Sequence, residues 1–334
     1  MNFCILGAGA WGTAVAVHLT RAGHAVTLAP RRMEHALEMA SSRENTDYLP
    51  GIELDPNLQI GCELRPLLME AEVVMFACPS KALRDTCRQV ASHREDAWSS
   101  RAYLALCKGL EPDTYQLPHE VMRAELGDGV AIGYLTGPSF AHEVAAGKPA
   151  AMVLAAEGEE EVVATTQKAC STETLRVYRA DDVPGVGLGS CLKNVYAIAA
   201  GIADGLCLGE NARAALLTRG LSEMVELGTA LGGRRESFYG LSGFGDLVVT
   251  CSGDSSRNRV LGLRIGAGET AAEIVESQST VVEGYWATGN FHALCQEKGL
   301  TAPILNEIYA VLYQGKEPRK ALLSLMTRDL RAED

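Results

Sequence analysis

Strand and helix signals alternate from residue 2 to about 180 and then give way to long helical periodicities with almost no strand signal. The chain therefore predicts an α/β, doubly wound N-terminal domain (1–183) followed by an all-α C-terminal domain (184–334). Length agrees, because 334 residues exceed what one hydrophobic core usually serves. Composition agrees too: 47% hydrophobic and 22% charged residues describe an ordinary globular protein.

The first element is the apolar run Asn2-Phe3-Cys4-Ile5-Leu6, which reads as a buried strand. It breaks into Gly7-Ala8-Gly9-Ala10-Trp11-Gly12, and a small-residue helical pattern follows from Thr13 to Ala22. Strand, G-x-G-x-x-G and helix together form the dinucleotide fingerprint of a Rossmann-type sheet. Gly7 allows the tight turn, Gly9 lets the backbone approach a pyrophosphate, and Gly12 lets the helix pack close to the sheet. The anion would rest on free N–H groups and on the positive end of the helix dipole. Ala25–Ala29 is the second strand. A carboxylate after it would hold a ribose 2′-hydroxyl and favour NAD, but Pro30-Arg31-Arg32 stands there instead. Two arginines suit a 2′-phosphate, which favours NADP(H); the same pair also suits a solvated surface.

Residues 33–66 are mixed, with a loop expected at Asn45–Gly51. Val73–Cys78 is a near-continuous apolar strand of the kind buried on both faces in parallel sheets. A helix is expected over Lys81–Ser92 and a strand over Ala102–Leu106. The latter runs into Cys107-Lys108-Gly109, so Lys108 lies at the carboxyl end of a strand, where open α/β sheets place ligands. An ordinary strand-end lysine fits the same pattern. A helix over Gln116–Leu126 and a strand over Val130–Leu135 follow. That strand ends in Thr136-Gly137-Pro138-Ser139-Phe140, and a helix Ala141–Ala146 begins there. Strands Ala150–Ala155 and Leu175–Tyr178 flank a helix Glu159–Cys170 and complete the domain.

The second domain opens with a helix in which Lys193-Asn194 interrupts small and apolar residues. A buried lysine is costly unless paired, and its ready pKa change suits acid–base chemistry near neutrality. A lysine that snorkels to solvent is the plainer alternative. A second helix spans Ala212–Leu231. Asp246, between a glycine turn and an apolar run, fits either a partner for Lys193 or a helix N-cap. Ser256-Arg257-Asn258 at a helix start supplies a planar cation and an amide suited to phosphate, and also reads as a polar cap. Glu283 fits a ribose or amide contact or a solvated turn. The last helices are expected over about 303–314 and 318–326.

Net charge is −12, which argues against a general nucleic-acid or anionic-membrane surface. The ten cysteines include no C-x-x-C, and H-E-x-x-H is absent, so no metal site is predicted. The chain starts on a strand rather than an export signal, and no apolar run reaches about 18 residues. A cytoplasmic protein with reduced thiols and no membrane span is expected.

The whole chain resembles one family, the bacterial NAD(P)-dependent glycerol-3-phosphate dehydrogenases. The carrying motifs are GAGAWG, YLPG, CKG at 107–109, GPSFAHE, LKNV, G-x-N-A-R at 209–213, L-x-T-R-G-L-x-E, GFGDLVVTC, SRN and VVEG. The resemblance implies a nicotinamide cofactor, NADPH or NADH, contacted by Ala10, Trp11, Arg31, Arg32, Tyr48, Lys108, Ala141, Arg257, Val281 and Glu283. It implies glycerol 3-phosphate or dihydroxyacetone phosphate surrounded by Lys108, Gly137, Ser139, Lys193, Asp246, Ser256, Arg257 and Asn258. Lys193 holds the position of the general acid/base, with Lys108 and Asp246 beside it in the catalytic set. It also implies supply of glycerol 3-phosphate for phospholipid synthesis, and it allows a homodimer. Ala10 and Ala29 depart from the family pattern, which often has a hydroxyl at the first and tryptophan at the second. Two other readings stay open: a β-hydroxyacid or 6-phosphogluconate-type dehydrogenase, and a non-catalytic NADP-binding module.

Overall fold

Short apolar runs become the strands of an eight-stranded sheet in the computed structural model, which describes residues 1–93, 100–277, 282–330 and 332. The strands are β1 (Asn2–Leu6), β2 (Ala25–Ala29), β3 (Glu44–Asn45), β4 (Leu49–Glu53), β5 (Gln59–Ile60), β6 (Val73–Phe76), β7 (Ala102–Ala105), β8 (Ala131–Thr136), β9 (Ala150–Glu157) and β10 (Leu175–Ala180). The large sheet runs β10-β9-β8-β7-β6-β1-β2-β5, and β3-β4 form a separate hairpin. The segment β5-β2-β1-β6-β7-β8 is parallel throughout and follows the doubly wound order. Every residue of β6, β7 and β8 is buried, as expected for strands covered on both faces.

The strand order reverses between β1 and β6, which is the switch point where such sheets bind ligands. Gly7 sits there with φ +116°, and a Cβ on it would meet the Ala77 carbonyl carbon at 2.8 Å. Only glycine tolerates both the dihedral and the contact.

Three features correct or add to these expectations. Residues 33–66 hold more structure than their mixed composition suggested: a helix Met33–Ser42, the β3–β4 hairpin, β5 and a helix Leu64–Met69. The expected loop Asn45–Gly51 is largely that hairpin, because Asn45 pairs with Leu49 across a tight turn. Second, β9 runs antiparallel to β8. The connection 137–149 holds only the five-residue helix Ala141–Ala145, roughly 8 Å long against the roughly 20 Å of β8 that a covering crossover helix would retrace. Third, the helix Val183–Gly205 is long and apolar enough to cross a membrane, but its apolar window is entirely buried within the fold.

The chain divides into two units, Met1–Gly187 and Leu188–Asp334. The second is helical: after the long helix come Glu210–Ala230, Asp246–Ser252, Arg257–Gly266, Ala271–Ser277, Glu283–Lys298, Pro303–Tyr313 and Pro318–Met326. Glycines on facing helices bring two backbones into contact. A Cβ on Gly201 would lie 2.0 Å from the Arg259 carbonyl oxygen, and one on Gly262 would lie 2.0 Å from that of Ile198. The helix carrying Arg257 and Asn258 is thus seated directly on the helix carrying Lys193.

The L-x-T-R-G-L-x-E stretch also finds its physical role. A Cβ on Gly220 would lie 3.1 Å from the Tyr196 ring, so glycine leaves that ring its room. The Tyr196 hydroxyl donates to Glu223, whose carboxylate accepts the Ile304 and Leu305 N–H groups at 2.7 and 2.9 Å. Glu223 therefore caps the helix Pro303–Tyr313 from a distance. Burial raises its carboxyl pKa above the ordinary 4.5, against the opposing pull of those two N–H groups. The folded state then binds this proton more tightly than the unfolded chain, so the group's contribution is fully present below about pH 4 and is lost as pH rises toward the raised value. Glu223→Gln keeps the shape and cannot ionise. In urea unfolding at pH 4, 5.5 and 7, its stability relative to wild type should climb with pH; a constant difference would contradict this coupling.

Candidate active site

In the first unit the glycine turn opens a helix, Ala10–Arg21, that has neither a side-chain cap nor an acidic residue in its first turn. Its leading N–H groups and dipole are left for an outside anion. A Cβ on Gly9 would meet nothing within 4 Å, so the turn is open on that side, whereas one on Gly12 would strike the Gly7 carbonyl oxygen at 2.1 Å. The Trp11 indole N–H beside this turn is buried without a hydrogen-bond partner. An open glycine, an uncapped helix start and an unmatched donor fit a pyrophosphate-bearing cofactor.

The Gly7 N–H donates to the Ala29 carbonyl at 2.9 Å, which sets the end of β2 beside the turn. Arg31 and Arg32 follow that strand end, both exposed, and Arg32 is the residue before the helix Met33–Ser42. Tyr48 lies in the β3–β4 turn, its ring 5.5 Å from that of His35.

Parallel pairing of β7 and β8 brings their carboxyl ends side by side. There the Gly137 carbonyl accepts from Lys108 Nζ at 3.3 Å and from Ser139 Oγ at 3.0 Å, and Ala141 starts the next helix. Lys108, Gly137, Ser139 and Ala141 thus form one cluster. The loop after Lys108 is anchored by Arg84, which sequence reading passed over. Its guanidinium grips both Glu111 carboxylate oxygens at 2.6 Å and also the Gln116 side chain. That fork holds the Glu111 carboxyl below its ordinary pKa. No local pattern marks Arg84, because its partners lie 27 and 32 residues away.

In the second unit Lys193 is buried and paired. Its Nζ donates to Asp246 Oδ1 at 2.8 Å and to Thr250 Oγ1 at 2.6 Å. The two ion-pair side chains are only 7% and 2% exposed, which rules out a lysine snorkelling to solvent. Asp246 starts the helix Asp246–Ser252 directly after a π-turn, Leu241–Gly245, of a kind often found at functional sites. Its carboxylate faces Lys193 rather than capping its own helix. Thr250, which donates to the Asp246 backbone carbonyl at 2.5 Å, completes the group. Its spacing from Asp246, i to i+4 on one helix face, was the signal available for it.

Ser256 caps the helix Arg257–Gly266, its Oγ accepting the Arg259 N–H at 3.3 Å. Arg257 is exposed at the first helical position. Asn258 is more committed than its sequence context suggested. Its Nδ2 donates to Asn194 at 2.8 Å and its Oδ1 accepts the Gly284 N–H at 2.9 Å, leaving one amide hydrogen for a ligand. That chain ties the start of the helix Glu283–Lys298, with Glu283 as its first residue, to the Lys193 helix. Val281 lies outside the described residues.

Of the ten cysteines, all free, seven are buried. Burial raises the Cys4, Cys170 and Cys251 thiols to about 12, so they stay protonated and inert near neutrality.

Comparison with known proteins agrees along the chain. A family model described as the NAD-dependent glycerol-3-phosphate dehydrogenase N-terminus matches residues 2–162, and its C-terminus counterpart matches residues 182–323. A glycerol-3-phosphate dehydrogenase (NAD(P)+) of Thiobacillus denitrificans is 44% identical over 333 residues, covering 100% of both chains. Its counterpart in Syntrophotalea carbinolica is 42% identical over 335 residues, covering 100% of this chain and 99% of the relative. The crystal structure of glycerol-3-phosphate dehydrogenase from Coxiella burnetii superposes with a TM-score of 0.91 at 37% identity, covering 98% of this chain and 99% of that one. The chain belongs to the NAD-dependent glycerol-3-phosphate dehydrogenase family.

Proposed function

We propose that this chain reversibly interconverts dihydroxyacetone phosphate and sn-glycerol 3-phosphate with NAD(P)H, in the cytoplasm, supplying glycerol 3-phosphate for phospholipid synthesis. The observation that carries the chemistry is the buried Lys193 ammonium, oriented by Asp246 and Thr250. Lys193 Nζ donates a proton to the substrate's carbonyl oxygen as negative charge develops there, and takes one from the hydroxyl in the reverse direction. Asp246 and Thr250 hold the ammonium in one rotamer. Ser256, Arg257 and the remaining Asn258 amide hydrogen grip the phosphate at a helix start, where N–H groups and dipole add to the cation. Lys108, Gly137 and Ser139 are assigned to the substrate as well. Lys108 adds a positive charge that stabilises an alkoxide.

A bound reduced nicotinamide would supply the hydride. Gly7, Gly9, Ala10, Trp11 and Gly12 are assigned to its pyrophosphate. Arg31 and Arg32 are assigned to its 2′ end, and Tyr48, Lys108, Ala141, Arg257, Val281 and Glu283 to the remainder. The proposal is tested by oxidation of NADPH and of NADH, side by side, with dihydroxyacetone phosphate and with a panel of β-keto acids. Turnover confined to dihydroxyacetone phosphate supports it; cofactor binding without turnover, or preference for a keto acid, overturns it.

Arg31→Ser/Arg32→Ser should raise KM for NADPH by about 10–100-fold, the worth of one charged hydrogen bond, and change KM for NADH by less than about threefold. Equal changes would show that these arginines do not recognise the 2′-phosphate. A homodimer is proposed on the exposed Leu323 and Met326, three apart on the helix Pro318–Met326 and so on one face; a monomer mass on sedimentation would overturn it.

A further inference from the structure

Asn45 is fully buried, and its amide is saturated in a way that bears on the glycine turn. Its Nδ2 donates to the Ala8 carbonyl at 2.9 Å and to Thr13 Oγ1 at 2.7 Å. Its Oδ1 lies 3.1 Å from His35 Nε2. The Ala8 carbonyl can only accept, so the amide nitrogen must face it. The oxygen then faces His35, which must be the donor through Nε2–H.

We infer that Asn45 is a positioning residue for cofactor binding: by holding the Ala8 carbonyl inward, it turns the Gly9 N–H outward to the phosphate side of the turn. The Ala8–Gly9 peptide is planar and trans, so its carbonyl and N–H point in opposite directions. Released, the Ala8 carbonyl is free to swing its negative end toward the anion. Gly9 is the position with open space at its Cβ, which is the side a pyrophosphate approaches. His35 lies in the helix that follows Arg31 and Arg32, and its ring contacts Tyr48. One buried amide therefore joins three of the segments assigned to the cofactor: the glycine turn, the helix after Arg31 and Arg32, and the turn carrying Tyr48. Asn45 itself does not touch the cofactor in this role, which rests on the cofactor reading given above.

The test is direct titration of the purified full chain with NADPH and with NADH, followed by nucleotide fluorescence, alongside Tm. Asn45→Asp keeps the shape but presents an oxygen to the Ala8 carbonyl. Kd for both nucleotides should rise by about tenfold or more and by the same factor, because the pyrophosphate is common to both. KM for dihydroxyacetone phosphate, and kcat at saturating cofactor, should stay within about threefold. A lower Tm with both Kd values unchanged would make Asn45 merely structural and overturn the inference, as would a loss of kcat without a change in Kd. Should Asn45→Asp not fold, His35→Phe and His35→Gln decide the matter. Phe removes the donor that fixes the amide's orientation and should raise both Kd values, whereas Gln can still donate and should restore them. Equal Kd values for these two variants would overturn the inference. Absence of nucleotide binding by the wild-type chain would instead sink the cofactor reading itself.

Discussion

Lys193→Met should lower kcat by about 10²–10⁴-fold, the usual worth of general acid–base catalysis, with nucleotide Kd unchanged. Methionine fills nearly the same volume without a proton to give, so the loss reports chemistry rather than packing. Lys193 is buried and paired. Its ammonium is held at 2.8 Å from Asp246 Oδ1 and 2.6 Å from Thr250 Oγ1, away from bulk water. Pre-steady-state mixing with dihydroxyacetone phosphate and reduced cofactor separates the chemical step from product release. A variant that retained near-normal single-turnover rates would remove Lys193 from the proton-transfer role.

Asp246→Leu should destabilise the protein by about 3–5 kcal/mol, because it strands a buried ammonium without its counter-charge. Lys193→Met strands the carboxylate and should be destabilising for the same reason. The double variant Lys193→Met/Asp246→Leu should be more stable than either single one, since replacing a whole buried ion pair by apolar groups of similar volume is often neutral or stabilising. The double-mutant cycle, read from denaturant midpoints, should therefore show a large coupling energy. Additive losses would mean that the two side chains do not depend on each other. A stable but inactive double variant would establish why the pair persists: the fold does not need it, and the chemistry does.

Near-neighbour patterns carried much of the molecule. The run Asn2–Leu6, three glycines and a small-residue helix were legible because strand period, turn geometry and helix start all act over a few residues. Lys193 stood out because one charged side chain interrupting an apolar helix demands an explanation. Arg31 and Arg32 were visible because the residue after the second strand of such a sheet is already in position.

Tertiary structure decided what local patterns cannot. Asp246 and Thr250 reach Lys193 across 53 and 57 residues, and Arg84 reaches the Lys108 loop across 27. Glu223, read in sequence only as the end of a family stretch, caps a helix that begins 80 residues later. Asn45 sat in an expected loop, and nothing nearby revealed that its amide closes on Ala8, 37 positions earlier. The antiparallel direction of β9 shows in its pairing with β8 across a connection that holds only a short helix, not in the strand's own residues. The sequence by itself determined the fold class, the glycine turn and the lysine, because their causes are local. Which partners orient that lysine, and which buried amide holds that turn, were decided only when folding brought distant polar groups together and burial required each to be satisfied.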